Sequence, residues 1–152
     1  MRPVVNLFDV ELVTDGDEPP GYEASYARIS PLVGGGQLGM SVYALPPGQS
    51  ICPYHYEPTD EEWLICLEGA PIVRTPDGEQ TLEPGDVVCF PPGPEGAHKV
   101  TAGEQSASVA IFSTKAAVGV AVYPDSNKLG VWYQGRRHLV RIEELDYFDG
   151  EV

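Results

Sequence analysis

Glycine and proline interrupt this sequence every several residues, and the stretches between them are β-forming. Tyr22 to Leu32, Gln37 to Leu45, Glu62 to Glu68, Val87 to Phe90, Ser106 to Ser113 and Val118 to Tyr123 carry branched and aromatic residues, several with period-two alternation. Between them stand Gly34-Gly35-Gly36, Pro46-Pro47-Gly48, Gly69, Pro84-Gly85-Asp86 and Pro91-Pro92-Gly93-Pro94, which turn or stop a strand. Pro71 to Arg74 and Gln80 to Leu82 flank Pro76-Asp77-Gly78, a strong hairpin signal. Strands this numerous and this short predict an all-β sandwich or barrel. Only Glu143 to Phe148 reads as helical, over a short span.

The chain has 152 residues, enough for one domain that buries roughly two-thirds of its unfolded surface. No linker, repeat or low-complexity segment divides it, so a single domain over 1–152 is expected, with its core at about 38–115 and both termini packed on that core. A net charge of −14 with nine Lys and Arg argues against nucleic acid and against anionic membrane surfaces. No run of 18 apolar residues and no charged-then-apolar start occurs, which gives no membrane span or secretory signal and an expected cytoplasmic location. Cys52, Cys66 and Cys89 are odd in number and lack CxxC spacing, as reduced thiols do. Cys66 and Cys89 sit inside apolar runs and are expected in the core, whereas Cys52 is three residues from His55.

Chemistry concentrates between Tyr54 and His98. On a strand, His55 and Glu57 point to the same face, and Pro58-Thr59-Asp60 turns the chain so that Glu62 returns beside them. His98 follows a second Gly/Pro-punctuated strand. Two imidazoles and two carboxylates gathered in this way form a ligand set for a divalent transition metal. Tyr54 and Tyr56 then point away, Asp60 and Glu61 read as solvated turn residues, and His138 beside Arg136-Arg137 reads as surface. Gly34-Gly35-Gly36-Gln37-Leu38-Gly39 spells a dinucleotide-binding loop, but the residues after it form a strand where that chemistry needs a helix.

Pro47-Gly48, then His55-x-Glu57, four residues, Glu62, six residues and Gly69, resembles the first motif of the cupin superfamily. Gly85, five residues, Pro91-x-Gly93 and then His98 resembles its second motif. Pro53-Tyr54-His55-Tyr56, Glu61-Glu62-Trp63, Tyr123-Pro124-Asp125-Ser126 and the acidic-aromatic end at Asp146 to Gly150 are similar to stretches in small, mostly uncharacterised bacterial single-domain cupins. The resemblance implies an antiparallel β-barrel, a jelly roll or double-stranded β-helix, with a metal in its mouth. It carries the ligand positions onto His55, Glu57, Glu62 and His98, and similar cupins often form homodimers. The exposed N-terminal strands and two-sided apolar segments point to a homodimer as well.

Three departures accompany the resemblance. Glu57 stands where most cupins have a second His, six residues separate Gly48 from His55 where five are usual, and four separate Gly93 from His98 where two are usual. The spacing changes adjust loops. A carboxylate in place of a neutral imidazole makes a divalent site less positive and a weaker Lewis acid, with a preference moved towards Mn and Fe while Zn and Ni stay open.

Two function classes follow from this reading. One is a metal-dependent enzyme, of oxygenase or isomerase type, acting on a small organic molecule, with Arg74 and Lys99 as candidate groups around the metal. The other is a non-catalytic small-ligand binder or sensor that uses the same cavity. The fold alone does not choose between them.

Overall fold

The computed structural model describes residues 1–151, and strands dominate it. Strands β1 (Ser25–Arg28), β2 (Leu38–Leu45), β3 (Glu62–Glu68), β6 (Val87–Phe90) and β8 (Ala107–Thr114) form a five-stranded sheet in the order β1-β2-β8-β3-β6. Strands β4 (Ile72–Thr75), β5 (Gly78–Thr81) and β7 (Lys99–Thr101) form a second sheet in the order β5-β4-β7. Every pairing is antiparallel, and β4 and β5 close the hairpin that Pro76-Asp77-Gly78 predicts.

Alternation sorts the side chains of the larger sheet. On β3, Leu64 and Cys66 are buried and join Leu45, Val109 and Phe90 from β2, β8 and β6 and Val73 and Val100 from the smaller sheet in one core. Each such buried side chain stabilises the stack by about 1.5–3 kcal/mol. Ile65 and Leu67 point the other way, onto Val42 and Ala110, where Val5, Leu7, Val10 and Leu12 of the N-terminal segment cover them. Both faces of β3 are apolar because both are partly covered. The N-terminal segment, expected to help join two copies, packs on its own sheet.

Three elements differ from the sequence reading. Tyr22 to Leu32 does not continue as strand past Arg28, since Ile29–Leu32 forms a single helical turn closed by Gly34 at a φ of 74°. Glu143 to Phe148 forms no helix and is exposed; so short a segment nucleates poorly without an apolar face to pack. The sequence reading also missed a hairpin, β10 (Lys128–Tyr133) and β11 (Arg136–Arg141), which pairs with β9 (Gly119–Tyr123) as a third sheet. Its charged outer strand, RRHLVR, lacks the polar-apolar alternation that betrays a half-buried strand.

The third sheet is tied to the body beside the site. Tyr56 and Val122 exchange backbone hydrogen bonds, and the Arg74 guanidinium donates to both carboxylate oxygens of Asp125, at 2.6 and 3.1 Å. Arg74 also lies over the Tyr54 ring, 4.0 Å from its centroid. Arg74 therefore braces two sheets and does not line the cavity.

Candidate metal centre

Two loops deliver the two histidines to opposite sides of one antiparallel bridge. The His55 N–H donates to the His98 carbonyl at 3.1 Å, and the His98 N–H returns the bond at 2.8 Å. This pairing holds the imidazoles side by side, with ring centroids 4.8 Å apart. Glu62 opens β3 on the inward face, two residues before Leu64, so the core that anchors Leu64 also aims its carboxylate.

Each imidazole is oriented by a carbonyl two residues upstream. His55 Nδ1 lies 3.0 Å from the Pro53 oxygen, and His98 Nδ1 lies 2.9 Å from the Gly96 oxygen. A carbonyl only accepts, so both Nδ1 atoms carry the proton and both Nε2 atoms present a lone pair. Those lone pairs converge on Glu62 Oε2, at 3.8 Å from His55 Nε2 and 3.4 Å from His98 Nε2. The three ligand atoms lie within 4.8 Å of one another. Two atoms that each sit about 2.1 Å from a shared ion are about 3.0–3.4 Å apart at 90–109°, so the 3.4 Å pair matches, while the 3.8 Å pair and the two imidazoles, within 4.8 Å of each other, must draw together around an ion. The residues fit a divalent metal in donor type, tautomer and approximate spacing.

Rings and a glycine complete the support. Phe90 stacks on His98 with centroids 3.7 Å apart and planes 8° from parallel, and Tyr123 stacks on His55 at 5.8 Å. The 3-10 turn Pro94–Gly96 carries the carbonyl that His98 needs. A Cβ at Gly96 would run into the Pro91 carbonyl, so only glycine fits there. Neither ring was legible as part of the site. The repeated placement of Pro53 and Gly96 two residues before a His was the available signal.

Burial governs the protonation of all three donors. Burial lowers His55 below the ordinary imidazole value and, with the neighbouring His55 charge, takes His98 down to about 4. Burial, and secondarily the Asp60 charge, pushes Glu62 up to about 7. Both imidazoles are neutral at pH 7, so their contacts with Glu62 are not ion pairs. A divalent cation reverses the carboxylate shift, because it favours the ionised form.

Glu57 lines the same cavity but stands outside the three-donor cluster. Burial, with the charge of Glu62, pushes it up to about 8. The cavity has a volume of about 340 Å³ and is lined by Tyr22, Tyr26, Tyr43, Ile51 and Ile111, together with the charged Asp15, Glu18 and Arg28. Cys52 also faces it, its Sγ 3.5 Å from His55 Nδ1, but burial pushes the thiol up to about 12 and keeps it protonated. Lys99 does not line the cavity; its ammonium lies over the Tyr22 ring at 5.2 Å.

Two surface expectations are corrected nearby. Asp60 is buried rather than solvated, and accepts hydrogen bonds from Thr114 Oγ1 at 2.9 Å and the Ala116 N–H at 2.7 Å. It pins the turn before Glu62 to the end of β8. Cys89 is exposed rather than in the core, because it falls on the outward parity of β6, opposite Trp63. Cys66 is buried as expected, and His138 is exposed.

Two facing antiparallel sheets share one core, and a His-Glu-His cluster of metal-ligand type stands at one end of it. Residues 41–113, just under half of the chain, match the model of the Cupin domain family, so this segment is a cupin domain. Its structure is similar to that of a sugar phosphate isomerase of the cupin superfamily from Silicibacter pomeroyi, with a TM-score of 0.81, 23% identity, and 91% of this chain and 92% of that one covered. A proposed sugar phosphate isomerase from Acidithiobacillus ferrooxidans gives 0.74 and 24% identity, covering 84% and 83%. The polyketide cyclase RemF from Streptomyces resistomycificus gives 0.61 and 23%, covering 75% and 80%. At these identities the likeness is one of fold. No curated protein matches the chain in sequence. Among the described residues no helix is long and apolar enough to cross a membrane.

Proposed function

We propose that this chain is a metal-dependent enzyme acting on a small organic molecule in the cavity above His55, Glu62 and His98. The observation that carries the reading is the pair of Nδ1–carbonyl bonds, which fix both imidazoles in the tautomer that offers Nε2 to the point where Glu62 Oε2 already lies. In this reading the two sheets close as a jelly-roll barrel, and Glu57 is the fourth ligand.

When bound, a divalent ion supplies Lewis-acid polarisation of a substrate oxygen. The chain's own residues do the rest. His55 and His98 stay neutral and hold their protons at Nδ1, so neither is the acid or base. A carboxyl that burial raises to about 8, as at Glu57, can hold or release a proton near neutral pH if the metal does not claim it. The tyrosine and aliphatic walls favour a compact ligand with an apolar side, and Asp15, Glu18 and Arg28 add charged groups to the same cavity.

Elemental analysis of protein purified without a tag or chelator, beside His98→Ala, tests the reading. We expect near-stoichiometric metal in the native chain and less than about a tenth of that in the variant. Fe or Mn directs the substrate search to oxygenation, followed by O₂ uptake, and Zn or Ni directs it to isomerisation. A folded protein without metal, or a variant that keeps it, overturns the metal-dependent reading and leaves the cavity as a ligand-binding site.

A further inference from the structure

The cavity over the His-Glu-His cluster has a cationic side chain in its lining that no carboxylate holds. Of the nine Lys and Arg, Arg28 alone lines it among the described residues. Arg28 ends β1, where Ala27 packs on the opposite face with Val42 and Ala110, so strand parity turns Tyr26 and Arg28 inwards. The register runs Arg28, Ser41, Ile111, Leu64 across β1, β2, β8 and β3, and Glu62 shares the face of Leu64. Three strand spacings separate β1 from β3 by about 14 Å, which sets Arg28 and Glu62 at opposite ends of one cavity. Tyr26, Tyr43 and Ile111 line the space between.

Arg28 is exposed at the rim, with its guanidinium carbon 6.0 Å from the centroid of the Tyr26 ring. No carboxylate lies within 4 Å of it among the described residues. Two acids share the lining, yet both are engaged elsewhere. The Glu18 carboxylate accepts the N–H groups of Asp15 and Gly16 at 2.8 and 2.9 Å, and Asp15 Oδ1 accepts the Tyr26 hydroxyl at 2.7 Å. With the backbone bonds between Val13 and Tyr26, these contacts fold the segment before β1 against the rim.

We propose, on the reading of this cavity as the substrate site, that Arg28 anchors a carboxylate of the substrate, which makes the substrate class a small organic acid. A planar guanidinium takes a carboxylate through two parallel N–H···O bonds. The charges of Asp15 and Glu18 alongside offset much of its field, which suits a monoanion and disfavours a dianionic phosphate. The tyrosine and isoleucine side chains between the two ends take the carbon skeleton. Arg28 sets specificity in this role and is neither acid nor base, because a guanidinium keeps its proton at working pH.

Calorimetric titration of the full chain with benzoate, neutral benzamide, phenyl phosphate and benzylammonium tests the assignment. Benzoate is expected to bind tightest. Arg28→Gln should weaken benzoate about tenfold and leave benzamide within about twofold. Arg28→Lys keeps the charge without the fork and should fall between. Circular dichroism and metal content report that both variants are folded and loaded as the wild type is. Benzoate held equally by the wild type and Arg28→Gln overturns the proposal; if His98→Ala then loses it, the carboxylate goes to the metal, and the metal-dependent reading stands without this anchor. Loss on Arg28→Gln in a chain that carries no metal upholds the anchor and removes the metal. A preference for phenyl phosphate overturns the carboxylate. A preference for benzamide or benzylammonium, or binding of none of the four, overturns the anchor itself.

Discussion

Strands β3 and β11 are similar in length and have opposite fates. β3 lies between β8 and β6, with Leu64 at 0% exposure on one side and Ile65 under the N-terminal segment on the other. β11 pairs along one edge, and all six of its residues face solvent. Backbone pairing alone therefore makes a strand, but not a support for chemistry. Glu62 can aim a carboxylate at two imidazoles because its strand is fixed by hydrogen bonds on both edges and by packing on both faces. A ligand carried on β11 would lack that packing.

The contrast breaks or sharpens in a set of measurements. Urea unfolding of Leu64→Ala should show a loss of about 2–5 kcal/mol, as for a fully enclosed leucine. Leu139→Ala, studied at concentrations where the chain is monomeric, should stay within about 0.5 kcal/mol of the wild type. Equal losses would mean that the hairpin belongs to the same core as β3.

Metal-free protein should show a pH signature of the two half-buried carboxylates. Glu62 and Glu57 bind their protons more tightly folded than unfolded, since burial raises them to about 7 and about 8. Their contribution is present below about pH 4.5 and is lost as pH rises through 7 to 8. The lowered His98 acts in the other direction: its contribution is present above about pH 6.5 and is lost as pH falls towards 4. Thermal unfolding of chelated protein should therefore weaken between pH 6.5 and 8, and added metal should abolish that decline. A chelated protein whose stability rises steadily to pH 8 would contradict a site of buried, unpaired carboxylates.

A smaller effect is expected of Glu57→His. The variant should keep its metal and change its preference among Fe, Mn, Ni and Zn, measured by competition during reconstitution. Unchanged selectivity would remove Glu57 from the ligand set and leave it as the cavity's proton carrier.

Much of the site was legible because its signals are local. The spacing of His55, Glu57 and Glu62 around Pro58-Thr59-Asp60 and the Gly/Pro frame before His98 are properties of short segments, and period two tells which side chains share a face. Three of the four residues do converge. Asp60 was misread because its burial depends on β8, whose Thr114 lies 54 positions away. Cys89 was misread because parity tells inside from outside only once the partner layer is known. The hairpin beyond Lys128 went unseen, since an exposed strand has little pattern to read.

The sequence by itself determined a strand-rich chain, most of its turns and the segments whose donor residues come together, because turn formers and alternation act over a few residues. The tertiary structure decided which way each donor points. It set Nδ1 against a carbonyl in both histidines, raised two carboxylates by enclosing them, and left one hairpin and one sheet face uncovered. Those outcomes depend on which distant layers meet, and desolvation and packing exist only after they have met.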